Sequence, residues 1–573
     1  MKKTLPGLFR FGIATLIMVT AIGAAAVDGK WNADAADNWG TASRWTNSQI
    51  ADGVGSVADI SFNITAARTV TLNSSRTVGR LRFEDATTSS HDWTLGVANN
   101  AVLTLQADSD TPVIDIANRT ATLNPVLAGS QGFTRSGGGT LQLNNYNNTF
   151  SGNVELTAST TRIRADGSLG QVPGAETPDA ITLRGGAVLM NYETDVVLAA
   201  TRGITLGAGG GRFQAGWSRS LTINGPISGA ESLTINSDAT PGLISLNGVN
   251  TYTGPTAVSG WLQVNGSLDA ASAVTVASGG LLSGNGTVNG LVTVNANGNL
   301  GAGGLFAAGT LTVNNAVNLS GALLHIDLSA TTAGVNDLLG VNGDLNLSGT
   351  TTVSVTPLAG TLETGTYRLI NYTGALTGSA ANLVAAPSRY TLTFDTSTPG
   401  QVNLIVADGP PANLVWKGED MLNLWDLATP NWLNGANPDV FRNGDHVLFD
   451  DNGANLVQIF AVSPLLVNSI VPGSVTVNAT KSYTLGGGRL AGPMTLTKQG
   501  TGILTLASVS ANLPNYFDGP IIIEGGRVRP TYARALGTTV GGTIISSGGS
   551  LDVNGQDLGF EPISIVGAGP DGE

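Results

Sequence analysis

The side chains best suited to chemistry in this chain are a few carboxylates and three histidines. Asp108, Asp110 and Asp115 form one acidic group, and Asp445 with Asp450 and Asp451 forms another. On an extended strand Asp108 and Asp110 share a face, because successive side chains alternate. Closely placed carboxylates serve as acid and base on a glycosidic bond, or hold calcium in a polysaccharide lyase. No motif fixes partners for either group, and acidic loops are ordinary on so acidic a surface. His91 and His446 stand next to Asp92 and Asp445, but neighbours on a strand point to opposite faces. His325 falls in the alternating run Leu323 to Asp327 and reads as a plain surface or turn-proximal histidine.

Other chemistries lack their residues. No histidine pair has zinc-hydrolase spacing and no Gly-x-Ser-x-Gly elbow occurs. The glycine runs at 207–212 and 486–489 lack the Lys and Ser/Thr that end a phosphate loop, and the calcium nonapeptide of secreted repeat proteins is absent. With no cysteine there is no thiolate nucleophile, Cys-based zinc site or disulfide. No catalytic, cofactor-binding or metal-ligating residue is assigned, and the chain reads as non-enzymatic. Trp31, Trp39 and Trp45, with Trp416, Trp425 and Trp432, are the remaining candidates. They fit either a sugar-stacking platform or a cover over the open end of a fold, and their place at two equivalent starts favours the cover.

The elements that would carry these residues are short strands. Gly numbers 78, charged residues are 12% and hydrophobic residues 41%, a mixture that suits strands and tight turns better than helices or disorder. Val274, Val276 and Leu282 recur as Val292, Val294 and Leu300 after 18 residues, then as Leu311, Val313 and Leu319 after 19. A unit of this period cannot bury its own apolar face and must stack on copies of itself. The chain is therefore expected to be an all-β parallel β-solenoid with rungs of ~18–20 residues, about 25 rungs and a rod on the order of 120 Å long.

A second signature occurs three times. Gly139 to Leu143 leads to Phe150 and Gly152, Gly242 to Leu246 leads to Tyr252 and Gly254, and Gly502 to Leu506 leads to Phe517 and Gly519. On a larger scale the two tryptophan triplets head two similar halves. The offset between them drifts only from 387 to 390 between Trp45/Trp432 and Trp93/Tyr483, which predicts a tandem duplication. The expected organisation is a signal peptide at 1–26, a first solenoid module at 27–407 with its Trp-rich start at 31–45 and repeats at 139–374, a proline-containing linker at 408–412, and a second module at 413–573. Loss of the leader's three cations takes the net charge from −13 to −16. With no basic stripe, nucleic acid is not an expected partner.

The Thr251 to Gly254 repeat, the following Leu262 to Leu268, and the Val-Thr-Val rungs resemble the autotransporter-associated β-strand repeat, also called the passenger-associated transport repeat. The likeness covers most of 130–410 and 495–573 and is strongest at 242–320. It implies a right-handed parallel β-helix, exported to the cell surface or outside the cell. Its repeats would assist passage across the outer membrane and engage the export machinery there. Such a passenger is expected to act as a structural or adhesive scaffold making multivalent contacts with glycans, extracellular matrix, neighbouring cells or its own copies. The competing expectation is a polysaccharide-cleaving enzyme with a lateral groove. The family usually ends in a β-barrel, whereas residues up to Glu573 read as repeat-like, which predicts either a fragment or another export route.

Overall fold

In the computed structural model the described residues are 26–87, 89–216, 219–236, 242–358, 361–407, 409–418, 422–460, 469–507 and 514–567. The expected signal peptide, Asp408 of the expected linker and the final residues 568–573 lie outside or almost wholly outside them. Within them the chain is a parallel β-solenoid of about 20 turns. It has 61 short strands and, for helix, four 3-10 turns of three or four residues. Alternation makes each strand: in Thr140–Leu143 and Thr120–Leu123, Leu141, Leu143, Ala121 and Leu123 point inward while the residues between them face out. Equivalent strands of successive turns then pair in register, as Thr120 to Leu123 do with Thr140 to Leu143.

One face of the coil is a continuous 15-stranded sheet from Asp37–Asn38 to Leu376–Thr377. A second set of sheets, of nine, six and three strands, takes over from Asn413–Trp416 onward. Two apolar cores correspond to these two stacks of rungs, one ending at Val406 and the other starting at Leu414. Polar turns are tied across rungs by asparagine ladders: Asn265 donates to Asn247 and Asn247 to Asn224 (3.0 and 2.8 Å), and Asn342 donates to Asn314 and Asn314 to Asn289 (both 2.7 Å).

The predicted period holds for one step and then changes. Val274 and Val276 pair with Val292 and Val294, and Leu282 with Leu300, as expected. The next neighbours of Val292 and Val294 are Val317 and Leu319, 25 residues on, while Leu311 and Val313 lie on a different face, where Val313 pairs with Val288. An inserted loop at 303–309 lengthens this rung, so Leu311 and Val313 mimic the repeat without occupying its place.

The rod is also shorter than expected, because the second stack lies beside the first. Trp261 and Leu281, on the outward face of strands Trp261–Val264 and Leu281–Ser283, join Ala491 in a separate apolar cluster with Leu243, Leu305, Phe306, Val471 and Tyr516 packed around it. Arg389, near the end of the first stack, chelates Asp445 (2.8–3.1 Å) and reaches Asp439 at 3.0 Å in the second. Farther along, Arg534 meets Asp195 at 3.3 Å. Later residues of the second stack thus contact earlier residues of the first, and the two run in opposite directions. Length is set by the 15-stranded face, about 70 Å at the spacing of paired strands.

Both tryptophan triplets are covers. Their exposures are 0 or 1%, so no ring offers a face to a sugar. Trp45 contacts Trp31 and Trp39 at centroid distances of 5.4 and 5.0 Å, and Trp432 contacts Trp416 and Trp425 at 4.9 and 5.2 Å. Antiparallel strands add further protection: Trp432–Asn434 pairs with Asn413–Trp416 at one start, and Gln401–Val406 folds back on Gly365–Tyr372 at the end of the first stack. Replacing Trp45 by Ser is expected to cost about 3–5 kcal/mol. Calorimetry should show a lower unfolding midpoint for the first stack; an unchanged midpoint would remove the covering role.

Candidate functional site

The predicted acidic groups are not brought together. Asp108 and Asp110 are exposed in the loop after Val102–Leu105, whereas Asp115 lies on Val113–Ile116 and pairs with Arg80 at 2.8 Å. Asp445 is fully buried and accepts from Arg389 and from the backbone N–H groups of Ala412 and Arg442, both 2.8 Å, which makes it the anchor between the stacks. Asp451 accepts from Thr480 and Lys481 backbone N–H groups, and Asp450 closes a turn onto Asn452. Among the described residues no group of three or more His, Asp or Glu is placed to hold a metal ion. His91 Nδ1 meets the Ile64 carbonyl at 3.1 Å and His446 Nδ1 the Ser474 hydroxyl at 2.9 Å.

His325 departs from its expected surface setting. It points out of the coil, but the inserted loop covers that face, and it borders a cavity of about 30 Å³ with Ser283, Phe306, Asp327 and Asp337. Its Nε2 lies 2.9 Å from Asn299 Oδ1. Burial pulls its pKa down to about 3, so the ring is neutral. Asp337 accepts from the backbone N–H groups of Gly309 and Asp327, both at 2.8 Å, and Asp327 in turn is hydrogen-bonded by the N–H groups of Phe306 and Ala307. The two carboxyls therefore pin the loop that presents Leu305 and Phe306 to the second stack. Burial pushes Asp327 up to about 7, and burial together with the charge of Asp327 pushes Asp337 up to about 8.

Between the stacks runs a cleft. One lobe, about 460 Å³, is bordered by Asp195, Arg219, Arg534, Asp557 and Phe560; a second, about 340 Å³, by Gln263, Asn515, Tyr516 and Thr538. The Asp195–Arg534 pair borders both lobes. None of these residues stands out in the sequence, because Asp195 and Arg534 are 339 residues apart and belong to no repeat.

A further pair of residues escaped sequence reasoning although a signal for it was present. A cation stands four residues before the glycine that opens two of the three signatures: Arg135 before Gly139, and Lys498 before Gly502. Both are almost wholly buried. Arg135 donates to the carbonyls of Gly137, Gly139 and Ala158, and Lys498 to those of Gln499, Gly500 and Gly525. Gly137 and Gly500 adopt φ of 89° and 62°, and a Cβ at either would strike a carbonyl of the rung below, at 2.1 and 2.4 Å. Each cation gathers the carbonyls that such a turn leaves without N–H partners.

These stretches match a known repeat. The model of the passenger-associated-transport-repeat matches residues 133–168, 242–264 and 496–529, which contain the three signatures. The chain carries the passenger-associated transport repeat. It is also 31% identical over 274 residues to the adhesin BmaC autotransporter of Brucella suis biovar 1 (strain 1330). That match covers 44% of this chain and 8% of the relative. The repeats at 133–168 and 496–529 each hold one of the buried cations.

The pinned loop gives a pH dependence with a definite sign. Asp327 and Asp337 hold protons more tightly folded than unfolded, so between about pH 4 and 8 the folded state binds more protons and stability falls as pH rises. His325, depressed to about 3, opposes this only up to its unfolded value of about 6.5. The decline is therefore steepest at about pH 6 to 7 and fades toward about pH 8 as Asp327 and then Asp337 lose their protons in the folded state. Unfolding midpoints measured across this window are expected to drop, and to drop less in an Asp327→Asn/Asp337→Asn variant. Equal slopes in both proteins would show that these carboxyls do not carry the effect.

Proposed function

We propose that the chain is a non-catalytic, surface-exposed or secreted autotransporter-type passenger that adheres to glycans, matrix, neighbouring cells or its own copies through many weak contacts along its flanks. The observation that carries this reading is the occurrence of three transport repeats in a long parallel coil, with a relative named as an adhesin. Rigidity supports it: a stack fixed by paired strands and asparagine ladders presents many equivalent groups at once, and linked weak contacts multiply in strength. The two stacks are read as tandem modules of one duplicated unit, and the coil as right-handed, the sense that parallel strand crossovers almost always take. The repeats are further proposed to aid export. Rungs add one at a time outside the membrane, and each added rung opposes backward slippage.

Beads coated with the full chain are expected to be retained on cell monolayers or matrix-coated surfaces, whereas the soluble monomer competes weakly. Absence of retention on cells, matrix and chain-coated surfaces alike would sink the adhesive reading. Release of new reducing ends or unsaturated products from pectin or alginate, above a denatured control, would replace it with a catalytic one.

A further inference from the structure

The cleft between the stacks has donors that the protein itself does not satisfy. Arg534 Nη1 is buried and has no hydrogen-bond partner, although Nη2 meets Asp195. Arg534 also holds a backbone φ of 63°, a conformation that a non-glycine residue adopts only where its surroundings fix it. Arg219 is half-buried, and among the described residues no hydrogen bond or ion pair is formed by its guanidinium. Burial lowers its pKa, and so does the charge of Arg534, while Asp195, Asp557 and Glu193 act the other way. Arg534 Nη1 lies beneath the cleft surface, so the guanidinium of Arg219, unpaired among the described residues, is the donor that a ligand oxygen reaches.

The charge balance of the lobe selects the kind of oxygen. Arg219 and Arg534 face Asp195 and Asp557. Of the other two carboxylates at the border, Glu193 is paired with Arg164 at 3.4 Å and Glu561 accepts from the Thr543 hydroxyl at 2.8 Å. A carboxylate or phosphate ligand would be repelled by Asp195 and Asp557, and an ammonium by the two guanidiniums. A neutral group that both donates and accepts meets no such conflict. The rim adds an apolar plane: Phe560 borders the lobe and its ring is exposed. A pyranose combines these properties, with hydroxyls around its edge and a C–H face that packs on an aromatic ring.

We propose that the cleft between the stacks binds a neutral saccharide, its hydroxyls bridging Arg219, Arg534 and Asp557 and one ring face lying on Phe560. The lobe's volume of about 460 Å³ falls within the range of small-molecule sites. This deepens the adhesive reading and rests on it, since it names the chemistry of one class of partner.

Isothermal titration of the full chain with maltohexaose, cellohexaose, mannohexaose and galactohexaose, and with oligogalacturonate as the anionic comparison, tests the assignment. At least one neutral hexaose is expected to bind with submillimolar affinity. Binding is expected to weaken by about tenfold or more in Arg219→Ala and in Phe560→Ser, with unchanged unfolding midpoints. Phe560→Ser keeps the test valid should Arg219→Ala disturb folding, because the ring is almost wholly in solvent. No neutral binding at millimolar concentration, preference for oligogalacturonate, or equal affinity in both variants overturns the proposal. Bead retention separates this from the broader reading. Retained beads without saccharide binding refute only the cleft assignment, whereas saccharide binding without bead retention refutes only adhesion.

Discussion

A rung of this coil closes only one side of its apolar interior, and its backbone groups find partners only on the rungs above and below. Strands such as Thr120–Leu123 and Thr140–Leu143 supply two inward aliphatics each, too few to offset the ordering of some twenty residues unless a neighbour covers them. Every other device in the structure serves that stacking. Glycines with positive φ let the chain turn where a Cβ would strike the rung below. Asparagine ladders tie the corners, and buried cations collect turn carbonyls. Where stacking must begin or end, large aromatic rings and antiparallel strands take the place of the missing rung.

The lateral pairing of two coils reuses surface that a solenoid ordinarily leaves to water. Trp261 and Leu281 occupy outward positions of adjacent strands, so alternation that normally places polar residues outside is broken there for a reason. The loop at 303–309 supplies Leu305 and Phe306 to the same patch, held by two carboxyls whose burial would otherwise be costly. The cleft follows from this packing, since two convex flanks touch along a line and leave recesses beside it.

How much of this was readable depends on whether the signal was local. The strand class, the 18-residue step from Val274 to Val292 and the three glycine-aromatic signatures lie within short windows and were legible. Leu311 and Val313 misled because an inserted loop reproduced the right residues on the wrong face. His325 was misplaced because alternation tells which face a residue takes, not what later covers it. The arms of the candidate site, Arg219 and Arg534, come from separate stacks, and nothing in a one-dimensional pattern says that a coil doubles back. Arg135 and Lys498 were legible in principle, as a cation at a fixed distance before two of the three signature glycines, but charge is ordinarily taken as a mark of the surface.

The doubled-back arrangement also gives the molecule an order of mechanical failure. Near residues 389 and 445 the flanks are riveted by Arg389, which meets Asp445 through two nitrogens and also reaches Asp439 and the Val440 carbonyl, while toward residues 195 and 534 the longer Arg534–Asp195 pair joins them. Under tension the seam would open from the weakly fastened end toward the riveted one, as a clasp knife unfolds about its pivot. Extension would then come from unhinging the two arms before any rung is torn from its stack, so the molecule would lengthen under load with its rungs intact.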